Sequence, residues 1–244
     1  MKQLTLPIAT PASVGFDTFV AGANTAAVFH LEQLGAGATP VYLWGPSGSG
    51  KTHLLRSLAL QRQQRGEQIG WFDRRTLQPW SMEAGHCLLL LDDCDRFDDA
   101  QQRAAFGLLV DAQTRAVPWI AAGRLPPVDL PLREDLRTRL GWGPVFALQS
   151  LPEDQARAVL RRESDRRGIF LSDDVMDYLL TRFSRDLSHL MGMLDQLDEF
   201  ALAERRAVTV PLLKKMLAEQ IGPVDAAGTA EESAHAGGSA AGDA

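Results

Sequence analysis

Apolar residues along this chain keep one rhythm before residue 150 and another after it. Five short runs, at 41–44, 69–72, 87–91, 118–122 and 145–148, are apolar at nearly every position, as expected of strands buried on both faces of a parallel sheet. Between them the apolar positions fall three and four apart. Residues 52–65 carry Leu54, Leu55, Leu58 and Ala59 on one stripe, with Gly66 placed to stop a helix. Strands alternating with helices predict an α/β fold, a five-stranded parallel sheet covered on both faces.

Past Leu148 the strand rhythm ceases. Helical spacing predicts helices over 153–167, 173–183, 185–205 and 210–219, the third marked by Leu187, Leu190, Met191, Leu194, Leu197 and Ala201. Ser150 followed by Glu153 reads as a capping box for the first, and Thr209 with Pro211 as the start of the last. The expectation is an α/β core followed by a small all-helical lid, with no internal repeat.

Composition narrows the class. Over 244 residues, 45% hydrophobic and 23% charged is ordinary for a soluble globular protein. No apolar run approaches the roughly 20 residues that cross a bilayer, and Lys2 is not followed by the apolar stretch of a secretory signal. A cytoplasmic protein with no membrane partner is expected. Cys87 and Cys94 lack metal-site spacing and read as reduced thiols, Cys87 packing beside the leucine run. Most of the net charge of −6 lies in residues 221–244, which hold no Lys or Arg. That segment predicts a disordered, acidic, low-complexity tail. The rest is nearly balanced, and no basic block marks an autonomous nucleic-acid binder. The predicted divisions are an extended arm over 1–14, the core over 15–149, the lid over 150–220 and the tail over 221–244.

The chemistry sits at the end of the first strand, where Gly45-Pro-Ser-Gly-Ser-Gly50-Lys51-Thr52 follows the apolar run. Glycines allow a tight loop whose N–H groups turn toward phosphate oxygens, and the helix that follows adds its positive end. Gly45, Gly48, Ser49, Gly50, Lys51 and Thr52 form the predicted phosphate-binding set, with Lys51 on the β- and γ-phosphates. The third apolar run delivers Asp92 and Asp93 to the edge where open α/β sheets bind ligands. Thr52 and Asp92 would hold Mg2+, Asp92 directly or through water. Asp93 would polarise an attacking water as general base. ADP or ATP with Mg2+ is therefore the predicted cofactor.

With these motifs the chain resembles the AAA+ family and, within it, the DnaA and Hda branch of bacterial replication proteins. The resemblance is carried by Gly45 to Thr52, Asp92-Asp93, Asp135-Leu-Arg-Thr-Arg139-Leu-Gly-Trp-Gly143, Arg185-Asp-Leu-Ser-His-Leu and Leu194-Asp-Gln-Leu-Asp198. It implies that Arg139 acts across a subunit boundary as an arginine finger, and that Arg185 reaches from the lid to the nucleotide as a second sensor. Without the family, Arg139 beside Arg133, Glu134 and Arg137 reads as a solvated helix face. His189 reads as lid packing. The family's polar first sensor has no counterpart: Gly123 or Arg124 falls there, depending on register. This favours holding nucleotide over turning it over. No basic helix-turn-helix module follows the lid in this sequence, which favours the Hda type.

Gln3, Leu4, Leu6, Pro7 and Ile8 resemble a sliding-clamp-binding peptide. Pro7 blocks helix, and Leu4, Leu6 and Ile8 alternate onto one side. The resemblance implies a negative regulator of DNA replication initiation. It would dock on the DNA-loaded sliding clamp, the β subunit of DNA polymerase III, meet DNA through it, and stimulate hydrolysis of DnaA-bound ATP. Its own ATPase would be weak. A self-contained AAA+ ATPase or helicase loader remains the alternative, with a P-loop kinase further off. Homo-oligomerisation and the choice of ADP or ATP as working ligand stay open. Trp44, Trp71, Trp80, Trp119 and Trp142 are expected in the core or at interfaces.

Overall fold

The structure, a computed structural model, describes residues 14–35, 37, 39–183 and 187–220. The arm at Gln3, Leu4, Leu6, Pro7 and Ile8, the tail over 221–244 and Arg185 lie outside the described residues.

The core runs through helix α1 (Thr25–Glu32), strand β1 (Val41–Trp44), α2 (Lys51–Gln64), β2 (Gln68–Phe72), β3 (His86–Leu91), α3 (Asp99–Thr114), β4 (Trp119–Gly123), α4 (Glu134–Leu140) and β5 (Val145–Ala147). The five strands form one parallel sheet in the order β2-β3-β4-β1-β5. Successive β3 leucines point to opposite faces. Leu88 and Leu90 pack with Val41, Leu43, Leu54, Leu55 and Leu58 on the α1/α2 side. Leu89 and Leu91 pack with Leu108, Leu109 and Leu136 on the α3/α4 side. All four are fully buried, which accounts for the unbroken apolar run. The register places Trp44 beside Gly123 on one flank and Ala147 on the other, so these residues share the carboxyl edge of the sheet.

The lid consists of α5 (Glu153–Arg166), α6 (Asp173–Arg182), α7 (Leu187–Glu204) and α8 (Val210–Gln220). Leu190, Leu194 and Leu197 of the predicted stripe are fully buried among α5, α6 and α8 residues such as Leu160, Leu179 and Leu213. His189 is exposed rather than packed in the lid core, with its ring 5.7 Å from that of Phe183. Thr209 accepts a hydrogen bond from the Leu212 N–H at 3.4 Å, the expected cap of α8.

Two further expectations need correction. The capping box at Ser150 does not form: α5 begins at Glu153 with Pro152 at the cap position and no side-chain cap. Ser150 therefore stands too far back, and Glu153 and Asp154 face the positive helix end instead. Cys87 is exposed, and Cys94 is the buried thiol, because the alternation that turns Leu88 inward turns its neighbour out at the strand's start. The acidic stretch 92–99 links β3 to α3. It holds a 3-10 turn at Cys94–Arg96 and then the cap of α3. Asp98 accepts from the Gln101 N–H at 2.8 Å while Gln101 accepts from the Asp98 N–H at 3.2 Å, a reciprocal capping box. Among the described residues no helix is long and apolar enough to cross a membrane.

Candidate nucleotide site and a remote arginine

The loop between β1 and α2 turns on glycines. Gly45, Gly48 and Gly50 all have positive φ, and Gly50, at φ +93, caps α2. A Cβ there would also lie 2.5 Å from the Phe19 ring. Position 50 is therefore fixed as glycine both by its conformation and by the segment folded over it. Lys51 is buried and donates from Nζ to the carbonyls of Gly45 and Pro46, each at 2.8 Å, and reaches Ser49 Oγ at 3.5 Å. The ammonium thus lies inside the loop, at the amino end of a 14-residue helix whose dipole favours an anion.

His53 ties this helix to the segment ahead of α1. Its Nε2 sits 3.1 Å from the Gly15 carbonyl and 3.4 Å from Thr18 Oγ1, with the Phe19 ring 5.5 Å away. Burial, the largest influence, lowers its pKa from 6.5. Arg162 of the lid donates to the Thr18 carbonyl at 3.1 Å, so the lid holds the segment that covers the loop.

The predicted cation ligands meet. Thr52 donates to Asp92 Oδ2 at 2.7 Å, and the Asp93 N–H donates to Asp92 Oδ1 at 3.0 Å. Asp92 is buried, and desolvation raises its pKa from 3.8, with the Thr52 hydrogen bond acting against the rise. A hydroxyl and a carboxylate at the mouth of a phosphate loop are the hard oxygen ligands that Mg2+ takes alongside phosphate. Among the described residues no group of three or more His, Cys, Asp or Glu could hold a metal ion. The donor set therefore fits a cation shared with a nucleotide rather than one caged by protein. Asp93 is left-handed at φ 52; it sits beside Asp92, and its side chain makes no hydrogen bond among the described residues.

The register resolves the position after β4. Gly123 ends the strand beside Trp44, and a Cβ on it would collide with the Tyr42 hydroxyl. Tyr42 is fully buried and donates to the Leu125 carbonyl at 2.9 Å. A polar side chain at 123 is excluded by that ring. Arg124 follows, with Nε 2.6 Å from Asp95 Oδ2 and its backbone N–H 3.1 Å from Oδ1. The Asp95 carboxylate is almost wholly buried while Arg124 stays half exposed. Sequence reasoning missed this pair, since only the fold joins residues from different strand ends.

Arg139 lies elsewhere. It lines a cavity of about 410 Å3 with Thr39, Pro40, Val117 and Trp119, residues at the amino edge of β1 and β4. The phosphate loop leaves the carboxyl edge of the same strands. Arg139 is not on a solvated face: that description fits Arg133, paired with Asp135 at 2.7 Å. The Arg139 Nη1 donates to Gln113 Oε1 at 2.5 Å. Its guanidinium carbon stands 4.5 Å from the Trp142 ring centre and 5.2 Å from that of Phe106. Phe106 and Gln113 are seven residues apart on α3, one helical face, a signal readable only once α3 is delineated.

Two segments of the chain match known protein families, and the fold matches solved structures. Residues 11–71 match the bacterial DnaA ATPase domain, and residues 153–217 match the lid domain of Hda. The fold is similar to domain III of the Thermotoga maritima replication initiation protein DnaA, at 18% identity and a TM-score of 0.68, over 88% of this chain and all of that one. AMPPCP-bound DnaA from Aquifex aeolicus superposes at a TM-score of 0.58 and 19% identity, over 76% of this chain and 65% of that one. The Thermotoga maritima RuvB Holliday junction branch migration motor gives 0.60 at 17% identity, over 85% and 72%.

Proposed function

Because the chain is an AAA+ protein related to Hda and DnaA, we propose that it is a negative regulator of replication initiation acting on ATP held by DnaA. ADP or ATP sits on the loop from Gly45 to Thr52, with Lys51 on the phosphates and Thr52 and Asp92 on Mg2+. Arg185 completes the site from the lid. The nucleotide-bound molecule docks through Gln3, Leu4, Leu6, Pro7 and Ile8 on the DNA-loaded sliding clamp and there meets DnaA. Arg139 then reaches the γ-phosphate of the ATP on DnaA and stabilises the charge that develops as the phosphoryl group leaves. DnaA is left with ADP.

One observation carries the reading: the phosphate loop and Arg139 occupy opposite edges of the same strands. A strand the length of β1 separates its end residues by roughly 10 Å. Arg139 is therefore badly placed for the chain's own nucleotide and well placed for one on a neighbour. The side-chain-free position at Gly123, enforced by Tyr42, supports a molecule that retains nucleotide, with Asp93 sustaining at most feeble turnover. The AMPPCP in the Aquifex aeolicus relative supports an adenine nucleotide on this loop.

The test is hydrolysis of ATP pre-bound to DnaA, with this protein, ADP and clamp-loaded DNA, omitting the clamp in parallel. Hydrolysis should rise only with both components. Arg139→Ala should lower the stimulated rate more than about a hundredfold, within the range known for arginine fingers, and leave ADP binding intact. Steady ATP turnover by this protein alone that survives Arg139→Ala would instead make it a self-contained ATPase.

A further inference from the structure

We propose that Trp142 and Gln113 position Arg139 for its partner, holding the guanidinium in one plane with its remaining Nη donors turned to an incoming phosphate. The proposal rests on the reading of Arg139 as a residue that acts on another molecule's nucleotide.

A guanidinium has five N–H donors. Among the described residues, the only hydrogen bond of the Arg139 side chain runs from Nη1 to Gln113 Oε1. Its Nε is buried without a partner, covered by the rings that flank the group. The guanidinium carbon lies over the Trp142 ring, 4.5 Å from its centre, and Trp142 is itself 52% exposed, so it forms a platform at the surface rather than part of the core. Gln113 fixes rotation within that plane, and Phe106 supports the group from α3 at 5.2 Å. The cavity of about 410 Å3 opens beside the group, so a phosphate can approach without unstacking the rings.

An arginine free in solvent samples many rotamers and must lose that freedom when it meets a phosphate. Here the restriction is imposed before the encounter, by stacking and one hydrogen bond, which is preorganisation. A planar, weakly hydrated guanidinium stacks on an aromatic face, whereas an ammonium offers no plane to hold. The stack therefore also specifies arginine over lysine. The Trp142 ring touches neither nucleotide nor substrate in this account; it acts through Arg139.

The experiment titrates Trp142→Ala, Trp142→Phe, Gln113→Ala and Arg139→Ala into ATP-loaded DnaA with clamp-loaded DNA. It reads the maximal stimulated rate separately from the half-saturating concentration. In parallel, the Arg139 Nε–H signal is followed by 15N NMR in the protein alone, assigned by its loss in Arg139→Lys. The expected result is a slowly exchanging Nε–H that Trp142→Ala exposes. With it, the maximal rate falls about five- to tenfold, as one lost cation–π contact would give, at unchanged half-saturation, and Trp142→Phe recovers most of it. Gln113→Ala, a surface change that spares folding, should lower the rate in the same sense. If the variants keep the wild-type maximal rate while Arg139→Ala abolishes it, the finger stands and the positioning role is overturned. If Arg139→Ala itself leaves the rate unchanged, the functional reading fails and the positioning role with it.

Discussion

Lys51 donates to the two carbonyls that open its own loop, Gly45 and Pro46, at 2.8 Å each. Removing its side chain withdraws the one cation within the loop. Lys51→Ala should therefore weaken ADP binding at least about tenfold, a charge-assisted phosphate contact being worth roughly 1.5–3 kcal/mol. Isothermal titration calorimetry with ADP measures this, and an unchanged affinity would remove Lys51 from the site. His53 adds a pH dependence. Burial lowers its pKa from 6.5, so on acidification the unfolded chain takes up the proton before the folded one. The stability contributed by neutral His53 is complete above about pH 6.5 and is lost as pH falls through its lower folded value. Urea midpoints between about pH 7 and 5 should fall less steeply in His53→Gln than in the parent. At this scale Lys51, Thr52 and Asp92 were readable because their chemistry lies in short contiguous motifs. The Arg124–Asp95 pair was not, because it joins residues 29 apart through a contact that exists only once β3 and β4 lie side by side.

Among elements, β1 and β4 meet closely at their carboxyl ends. The Tyr42 hydroxyl fills the space that a Cβ on Gly123 would take. Gly123→Ala should cost about 1–3 kcal/mol of unfolding free energy, the usual cost of overpacking a buried contact. The same substitution should cost less in a Tyr42→Phe background, where the colliding oxygen is gone. Denaturant titration of the four proteins gives the coupling; strict additivity would mean that the two groups do not compete for space. Asp98→Ala should remove the α3 cap at about 1 kcal/mol, read the same way. Strands and lid helices were legible because burial on both faces, or along one stripe, writes itself into the spacing of leucines. The cap of α5, not its start at Glu153, was misread, because a Ser-x-x-Glu pattern does not say which residue occupies the cap, and Pro152, with its fixed φ of −56, takes that place. Helices α3 and α4 carry short, mixed stripes, and Phe106, Gln113 and Trp142 come together only by their packing around Arg139.

For the molecule as a whole, the five-stranded parallel sheet and the helical lid followed from the alternation of rhythms, while the order of the strands did not. The meaning of Arg139 needed the sheet's two edges to be distinguished. The arm is the remaining large-scale expectation. Leu4→Ala with Leu6→Ala should abolish binding to the sliding clamp, measured by surface plasmon resonance, and leave ADP affinity at the parental value. Wild-type clamp affinity in the double variant would remove the arm from the account. The separation of phosphate loop and Arg139 across the sheet makes any contact between them on two molecules head-to-tail, not face-to-face. Such a junction has a polarity. A molecule that offers its arginine edge to a neighbour stacked along the strands keeps its nucleotide edge clear of that same junction. Unless something blocks the free edge, the geometry is that of a growing row with unlike ends, each end admitting a different kind of next member.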